Sequence, residues 1–202
     1  PNTISEHYLS PYKTSKKLPT RSKNHFRMLT LSAWYPHKNL SIIPKVLDIL
    51  IKKGYKNIIF VVTLPRIDEE KLNLADKYEG QLINIGPVKV EDGASIYQEC
   101  DAMFLPTLLE CFSASYAEAM KLNKPIITSD MGFAHTVCKD AALYVNPMDQ
   151  NDIAAKIIEL SKSDELQQAL VRNGVKRLQT FGTSRDRAQR YIQICQSLVN
   201  DV

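Results

Sequence analysis

The sequence predicts an α/β fold, a doubly wound parallel sheet of about six strands followed by a C-terminal layer of helices. Two observations carry this prediction. Short apolar runs alternate about six times with segments whose apolar residues recur every three or four positions, which is typical of alternating strands and helices. Beyond Pro147, three helical segments follow one another with no apolar run between them, which indicates the helical layer.

Each predicted strand is a short apolar run, and the run at 57–63 indicates that the sheet is parallel. It is continuously β-branched and aromatic, as expected for a strand buried on both faces. Gly86 and Pro87 close the third run, and Pro106 ends the fourth. The predicted strands are 28–31, 57–63, 82–85, 102–105, 125–128 and 143–145.

The predicted helices have one apolar face, and several have capping residues at their ends. In 39–52 the apolar residues define one face, and Gly54 supplies a stop just past it. Asp149, Asp164 and Ser184 stand where N-caps belong in front of the last three helices. The predicted helices are 39–52, 68–78, 92–100, 113–122, 149–161, 164–178 and 184–199.

Residues 1–25 lack periodicity and are rich in Pro, Ser, Thr and Lys. We interpret them as an interdomain connector or N-terminal arm, and 26–202 as one domain. Segment 13–27 carries seven basic residues, His25 included, and no acid; it is either a phosphate- or membrane-facing patch or a solvated linker. The net charge of +4 is mild and does not call for a nucleic-acid partner. Because the chain begins with Pro rather than Met, we expect it to be a fragment.

Missing motifs argue against several classes of protein. The four cysteines are far apart and no His completes a metal-ligand spacing, so we predict no metal site. The sequence shows neither a signal peptide nor a membrane-spanning run, so we expect a cytoplasmic protein. Neither GxGxxG nor GxxxxGK[ST] occurs, which argues against a standard dehydrogenase or a P-loop NTPase. Phosphate binding would therefore use helix N-termini and isolated basic residues.

The candidate site lies where predicted strands lead into helices, because these joints share one edge of a parallel sheet. Lys38, Glu110, Ser113 and Asp130 could converge there although they are far apart in sequence. Lys38 beside a helix N-terminus suits a phosphate, although taken alone it is more readily a solvated surface lysine. The free amides of 113–115 at a helix start suit an anionic diphosphate.

Two glutamates indicate the chemistry of the site. Glu110 has no neighbouring Lys or Arg in the sequence, and its carboxylate could accept from sugar hydroxyls or stabilise an oxocarbenium-like centre. Glu118 has two interpretations: it forms a capping box with Ser115, or it points from the helix start at a ligand hydroxyl. His37 and His135 both lie on candidate crevice loops, where each is either a ligand-binding residue or an ordinary loop histidine.

The residues around these glutamates resemble a known family. The run from Leu105 to Asp130 contains LPT, ECFS, EAM and KPIITSD in that order, and DAALYVNP follows. This is similar to the core motif of retaining GT-B glycosyltransferases, above all the large family 4 (glycosyl transferases group 1). That motif reads Pro-Ser, Glu-Gly-Phe-Gly, Glu-Ala-Met and a Pro-led strand ending in Ser-Asp. The opening PNTI resembles the Pro-Asn-Gly-Val/Ile that ends the family's N-terminal domain, so the resemblance covers nearly the whole chain.

The resemblance implies one half of a GT-B fold, a Rossmann-like domain that binds a nucleoside-diphosphate sugar and needs no metal or other cofactor. It implies that Glu110 is the catalytic residue that contacts the donor sugar, that Glu118 binds the ribose and that Lys38 binds phosphate. Amides at 112–115 would lie near the diphosphate or sugar, and residues 85–86 near the base. The donor-binding residues implied in this way are Lys38, Gly86, Phe112, Ser113, Ala114, Ser115 and Glu118.

The resemblance also implies the partners. The donor would be a nucleotide sugar, and the acceptor would be bound by an N-terminal domain that is absent from this sequence. By analogy, the setting would be bacterial polysaccharide or glycoconjugate synthesis, in the cytoplasm or at the inner face of the membrane. The full-length enzyme would associate peripherally with that membrane. We expect the fragment alone to bind nucleotide and to transfer no sugar.

The sequence departs from the family pattern near the site. Ser32-Ala33 stands where Gly-Arg is usual, and that Arg normally shares the phosphate charge. Cys111 and Ser113 replace the two glycines of Glu-Gly-Phe-Gly, and Thr136 stands where Glu is common. The alternative function is therefore a degenerate, non-catalytic module that binds nucleotide sugar or scaffolds a complex. A sugar-nucleotide epimerase fits less well, because of the EAM context and the PNTI junction.

Overall fold

The computed structural model describes residues 4, 8, 18–72 and 78–200, and these form one sheet with helices on both faces. The strands are β1 (Phe26–Thr30), β2 (Ile58–Val62), β3 (Leu82–Asn84), β4 (Ala102–Leu105), β5 (Ile126–Ser129) and β6 (Leu143–Val145). Within the described residues these six strands pair in parallel in the order β3-β2-β1-β4-β5-β6. The predicted doubly wound class is confirmed, and each strand begins and ends within two residues of its prediction.

Seven α-helices run through the described part of the chain, and short 3-10 helices cover Pro36–Lys38, Arg66–Leu72 and Lys139–Ala141. None of the helices in this part is long and apolar enough to cross a membrane. The α-helices are α1 (Ile42–Lys52), α2 (Val90–Gln98), α3 (Ala114–Lys121), α4 (Gly132–Cys138), α5 (Gln150–Lys162), α6 (Asp164–Leu178) and α7 (Ser184–Asn200).

Two helical segments differ from the sequence prediction. The helix expected at 68–78 is a 3-10 helix over Arg66–Leu72, and residues 73–77 lie outside the described part of the chain. Helix α4 was not predicted, so His135 lies on a helix and not on a loop. With seven residues, α4 makes only about two turns, which is too short for an apolar period to stand out in the sequence.

Two apolar clusters cover the two faces of the sheet, because successive strand residues point to opposite sides. Met28 lies level with Phe60 in β2, and both belong to the cluster under α1 and α5. The next residue, Leu29, points to the other cluster, which lies under α2, α3 and α4. Tyr8 and Leu18, from the segment predicted to be a connector, are buried in this second cluster.

The C-terminal helices continue both layers of the fold. Helix α5 packs against α1 on one face, and α6 packs against α3 on the other. The side chains of 184–198 in α7 are exposed to solvent. The predicted helical layer is therefore divided between the two faces of the sheet.

Three predicted N-caps have different outcomes. Asp149 caps α5, since its Oδ1 accepts from the backbone N–H groups of Asn151 at 2.8 Å and Asp152 at 3.3 Å. The prediction of Asp164 is wrong, because Ser163 Oγ accepts from Leu166 N–H at 3.1 Å.

The prediction of Ser184 as an N-cap is also one residue too late. Thr183 Oγ1 accepts from the Asp186 N–H at 3.2 Å, and Asp186 Oδ2 accepts from the Thr183 N–H at 2.7 Å. These reciprocal bonds form a capping box at the start of α7, although the box uses Asp where Glu is usual.

The assignment of Ser163, rather than Asp164, as the N-cap of α6 can be tested by substitution. We expect Ser163→Ala to lower the free energy of unfolding by about 1 kcal/mol, since it removes the acceptor for Leu166 N–H. Asp164→Ala is the matched control and is expected to cost only about 0.3–0.5 kcal/mol, through the helix dipole. Urea unfolding of both variants would measure the difference, and an equal or larger loss for Asp164→Ala would contradict the assignment.

Candidate active site

The strand order creates a crevice between β1 and β4. The chain moves outward from β1 to β2 and β3 on one side, and then continues from β4 to β6 on the other. Ligands of doubly wound folds bind outside the carboxyl ends of the strands at this switch point. The loop after β1 carries Lys38 and the loop after β4 carries Glu110, so the topology alone brings these two loops together.

Buried threonines bond the ends of neighbouring strands to each other at the base of this crevice. Thr30 Oγ1 donates to the carbonyl oxygen of Phe104 at 2.8 Å, and Thr128 Oγ1 donates to that of Leu105 at 2.9 Å. The Tyr116 hydroxyl from α3 lies 2.8 Å from Thr128 Oγ1. The end of β4, from which the Glu110 loop begins, is thus bonded to β1 and β5, and the β5 threonine is bonded in turn to α3.

The two loops are tied together through the backbone of His37. Its carbonyl oxygen accepts from Leu108 N–H at 2.7 Å and lies 3.0 Å from Thr107 Oγ1. The His37 ring stacks on Tyr35, with 5.6 Å between ring centroids. The predicted choice for His37, ligand-binding residue or ordinary loop residue, remains open, but its carbonyl fixes the distance between the loops.

Lys38 and Glu110 form an ion pair across the crevice. Lys38 Nζ donates to Glu110 Oε1, and the side chains are only 16% and 13% exposed. Lys38 is the last residue of a 3-10 helix, and Asn39 caps it with a left-handed backbone (φ 54°). The Asn39 side chain holds this turn in place, because its Nδ2 donates to the Pro147 carbonyl at 2.7 Å. The sequence shows no Lys or Arg beside Glu110, but in the folded chain Glu110 is paired with Lys38, which lies 72 residues away in sequence.

Helix α3 begins beside Glu110 and offers free amides. Its N-cap is Ser113, which is buried and makes no side-chain capping bond. The N–H groups of Ala114 and Ser115 donate to no acceptor within the described residues. Such amides at a helix start, with the positive end of the helix dipole, attract anions.

The capping-box interpretation of Glu118 is wrong. Helix α3 begins two residues earlier than a Ser115 cap requires, which places Glu118 more than one turn inside the helix. Burial raises the pKa of Glu118 to about 7, and its interaction with the Tyr8 hydroxyl opposes this effect.

Phe112 and Gly86 stand apart from the ion pair. The Phe112 ring packs edge-on against Phe181, with 5.7 Å between ring centroids. Gly86 follows β3, with a positive φ of 69°, and its N–H donates to Asn84 Oδ1 at 3.0 Å. Because β3 lies two strands from β1, Gly86 is about 10 Å to one side of the Lys38 loop.

Asp130 belongs to a second polar cluster rather than to the ion pair. It follows β5, one strand beyond β4, and its Oδ1 lies 2.5 Å from His135 Nε2. The His135 ring stacks on Tyr144 with 3.8 Å between centroids. The sequence prediction treated Asp130 and His135 singly, and the undetected helix α4 explains why their pairing was missed.

No group of three or more His, Cys, Asp and Glu side chains in the described part of the chain is arranged to hold a metal ion. Tyr8 is the residue near the site that sequence reasoning missed, since it lies in a segment without periodicity. No signal in the sequence connects it to Glu118.

Comparison with known proteins agrees with this geometry. The family model described as "Glycosyl transferases group 1" matches residues 13–177. The chain belongs to the glycosyl transferases group 1 family. The resemblance seen in the LPT-to-KPIITSD run is thereby confirmed at the level of the family and of the GT-B fold. The individual roles of Lys38, Glu110 and Glu118 remain predictions.

One curated relative is the O-antigen chain mannosyltransferase RfbU of Salmonella typhimurium. It is 29% identical over 153 residues, which cover 73% of this chain and 41% of the relative. An uncharacterized glycosyltransferase (MJ1178) of Methanocaldococcus jannaschii is 28% identical over 92 residues, covering 45% of this chain and 26% of the relative. The chain thus spans less than half the length of the curated relatives that it matches.

A solved structure shares the fold over most of its own length. The C-terminal domain of a glycosyl transferase group 1 family protein (LpcC) from Francisella tularensis superimposes with a TM-score of 0.65 at 20% identity. The match covers 79% of this chain and 87% of that one.

Sucrose-phosphate synthase from Thermosynechococcus elongatus has the same fold in part of its chain. It superimposes with a TM-score of 0.73 at 18% identity, covering 88% of this chain and 46% of that one.

Proposed function

We propose that this glycosyltransferase domain binds the nucleoside-diphosphate sugar donor of a retaining enzyme and supplies one wall of its active site. The observation that carries the proposal is the ion pair of Lys38 and Glu110 at the switch point, beside the free amides at the start of α3. A diphosphate carries negative charge, and Lys38 with these amides offers the positive charge and donors to bind it.

The spacing of the groups suits such a donor. The diphosphate would lie between Lys38 and the amides of 112–115, and the base would extend toward Gly86, about 10 Å away along the sheet edge. Glu118 would accept from ribose hydroxyls. Glu110 would contact the donor sugar and, on release from Lys38, place a carboxylate near the positive charge that develops at the reacting carbon.

We propose that the reaction needs no metal. Lys38 and the α3 amides would neutralise the leaving diphosphate, which is the task a divalent cation performs in other enzymes. The acceptor would be bound by a further domain of the longer protein, and the cleft between the two domains would hold the reacting groups.

The biological setting that we propose is bacterial polysaccharide or glycoconjugate synthesis, supported by the similarity to the O-antigen chain mannosyltransferase of Salmonella. A cytoplasmic location and peripheral membrane association of the longer enzyme remain part of this proposal. Two cations of the basic segment are used within the fold: Arg21 pairs with Asp101 at 2.8 Å, and Arg27 is buried and donates to the Pro19 carbonyl. These two are therefore poor candidates for a membrane-facing patch.

Calorimetry with UDP, GDP and ADP tests the donor-binding proposal. We expect the chain to bind at least one of them, and Lys38→Ala to weaken that binding by about 10- to 100-fold, because a charged hydrogen bond to phosphate is lost. Lys52→Ala is the control, since Lys52 is exposed at the end of α1 that faces away from the crevice. Failure of all three nucleotides to bind would refute the proposal for this chain.

The second candidate function is the non-catalytic module, and the loop after β1 favours it. Ala33 is exposed where the family usually has an Arg, and Ser32 Oγ donates to the Ala33 carbonyl at 3.0 Å. Nucleotide binding without sugar transfer by the full-length protein would support this candidate over the catalytic one.

A further inference from the structure

One buried hydroxyl bonds to both loops of the crevice. Thr107 follows β4 and is completely buried. Its Oγ1 lies 3.0 Å from the carbonyl oxygen of His37 and 3.2 Å from that of Leu109. His37 directly precedes Lys38 in the chain, and Leu109 directly precedes the other member of the ion pair, Glu110. The same hydroxyl therefore holds the backbone immediately before each of the two paired side chains.

The hydroxyl of Thr107 serves the two carbonyls as a shared donor, because it has only one hydrogen. Both oxygen–oxygen distances are longer than the usual value of about 2.7–2.8 Å, as expected when one hydrogen is divided between two acceptors. The shared bond joins the loop after β1 to the loop after β4 at a single point.

The stretch that leads into Glu110 is held by hydrogen bonds more than by packing. The Leu109 side chain is 67% exposed, so it gains little from burial in the core. Residues 106–113, between β4 and α3, form neither helix nor strand and so lack the repeating backbone bonds of either. The position of Glu110 therefore depends on individual bonds, among them the one from Thr107 to the carbonyl just before it.

We propose that Thr107 is a positioning residue that sets the distance between Lys38 and Glu110. By holding the backbone before each of them, its hydroxyl keeps the ammonium and carboxylate groups aligned across the crevice. Such alignment matters for transfer, because a misplacement of about 1 Å can cost up to about 10²-fold in rate. The effect on the reaction rests on the proposed function, but the alignment of the pair can be measured without a ligand.

A double-mutant cycle tests the alignment in the free protein. Urea unfolding of Lys38→Met, Glu110→Gln and the double variant gives the coupling between the two side chains. We expect this coupling to fall to about half or less when Thr107→Val is added, since valine keeps the branched shape and lacks the hydroxyl. Thr107→Ser keeps the hydroxyl and should restore most of the coupling. Thr107→Ala gives the same test if the valine variant does not fold. An unchanged coupling without the hydroxyl would overturn the proposal.

Thr30→Val is the matched control for this cycle. Thr30 Oγ1 donates to the carbonyl oxygen of Phe104 at 2.8 Å, so it also joins β1 to β4 through a buried hydroxyl, but within the strands rather than the loops. We expect it to lower the urea midpoint by a similar amount to Thr107→Val and to leave the coupling unchanged. An equal loss of coupling in both variants would mean that general loosening explains the effect, and the specific role of Thr107 would be wrong.

Nucleotide binding and sugar transfer give the second measurement. For the nucleoside diphosphate that binds the wild type, we expect Thr107→Val to weaken binding by about 3- to 10-fold and, in the full-length protein, to lower kcat by about 10-fold. Thr107→Ser should recover most of both losses. Wild-type affinity and kcat in a Thr107→Val protein with reduced coupling would overturn its role in the reaction. A wild type that binds no nucleotide would refute the proposed function instead, and the ligand-free cycle would still decide the role of Thr107 in aligning the pair.

Discussion

Replacing Glu110 by Gln in the full-length glycosyltransferase is expected to lower kcat for sugar transfer by about 10²- to 10³-fold. The substitution keeps the size of the side chain and removes its charge, so that under the proposed function the positive charge developing at the donor carbon would lose its stabilising carboxylate. It also leaves Lys38, which is 16% exposed, without its counter-ion. Steady-state kinetics with the nucleotide sugar that the protein uses would measure kcat and KM separately.

Lys38→Ala should separate the two members of the pair. We expect it to raise KM for the donor more than Glu110→Gln does, because Lys38 is assigned to the diphosphate. Because the two side chains are in contact, the effects of the double variant should not be additive. Glu159→Gln on the exposed face of α5 is the charge-matched control. Wild-type rates for both Glu110→Gln and Lys38→Ala would refute the roles assigned to this ion pair.

Glu118→Gln is expected to make the chain more stable at pH 8 while weakening nucleotide binding. In the folded state burial raises the pKa of Glu118 to about 7, against 4.5 for an ordinary glutamate. Between these values the folded state holds more protons than the unfolded state, so the wild-type stability falls as the pH rises from about 4.5 to 7. Above pH 7 the charged carboxylate remains at the cost of burial, and Gln avoids that cost.

The size and pH dependence of this effect can be measured by urea unfolding. We expect Glu118→Gln to raise the free energy of unfolding by about 1–2 kcal/mol at pH 8. This is less than the whole pKa shift would give, because Glu118 is partly in contact with solvent. The gain should shrink toward zero near pH 4.5, where both side chains are neutral. Glu91→Gln, exposed on α2, is the control and should show no such trend. A Glu118→Gln protein that is less stable than the wild type at pH 8 would contradict the assigned environment.

The sheet was predictable because its signals are local. Six apolar runs, the continuous run at 57–63 and the stops at Gly54 and Gly86 locate the strands and the first helix without any long-range information. The errors in predicting helices and their caps also have local causes. Helix α4 is too short to show a period, and the caps at Ser163 and Thr183 each compete with a plausible capping residue next in sequence.

The site was predictable in part. The glutamates at 110 and 118 and their flanking motifs indicate the family, and the topology rule brings Lys38 to the same edge. The partners of these residues were not predictable. Lys38 reaches Glu110 only because β1 and β4 are adjacent, and Tyr8 packs against α2 only because Gly93 leaves space there.

The sequence by itself determined the fold class, the family and the identity of the acidic and basic residues at the crevice. Those follow from periodicity, turn residues and motifs, all of which are local features of the sequence. Only the tertiary structure decided which charges meet and how deeply Glu118 is buried. Ion pairing and desolvation depend on distances between residues far apart in sequence, and these distances exist only once the strands are paired and the helices are packed.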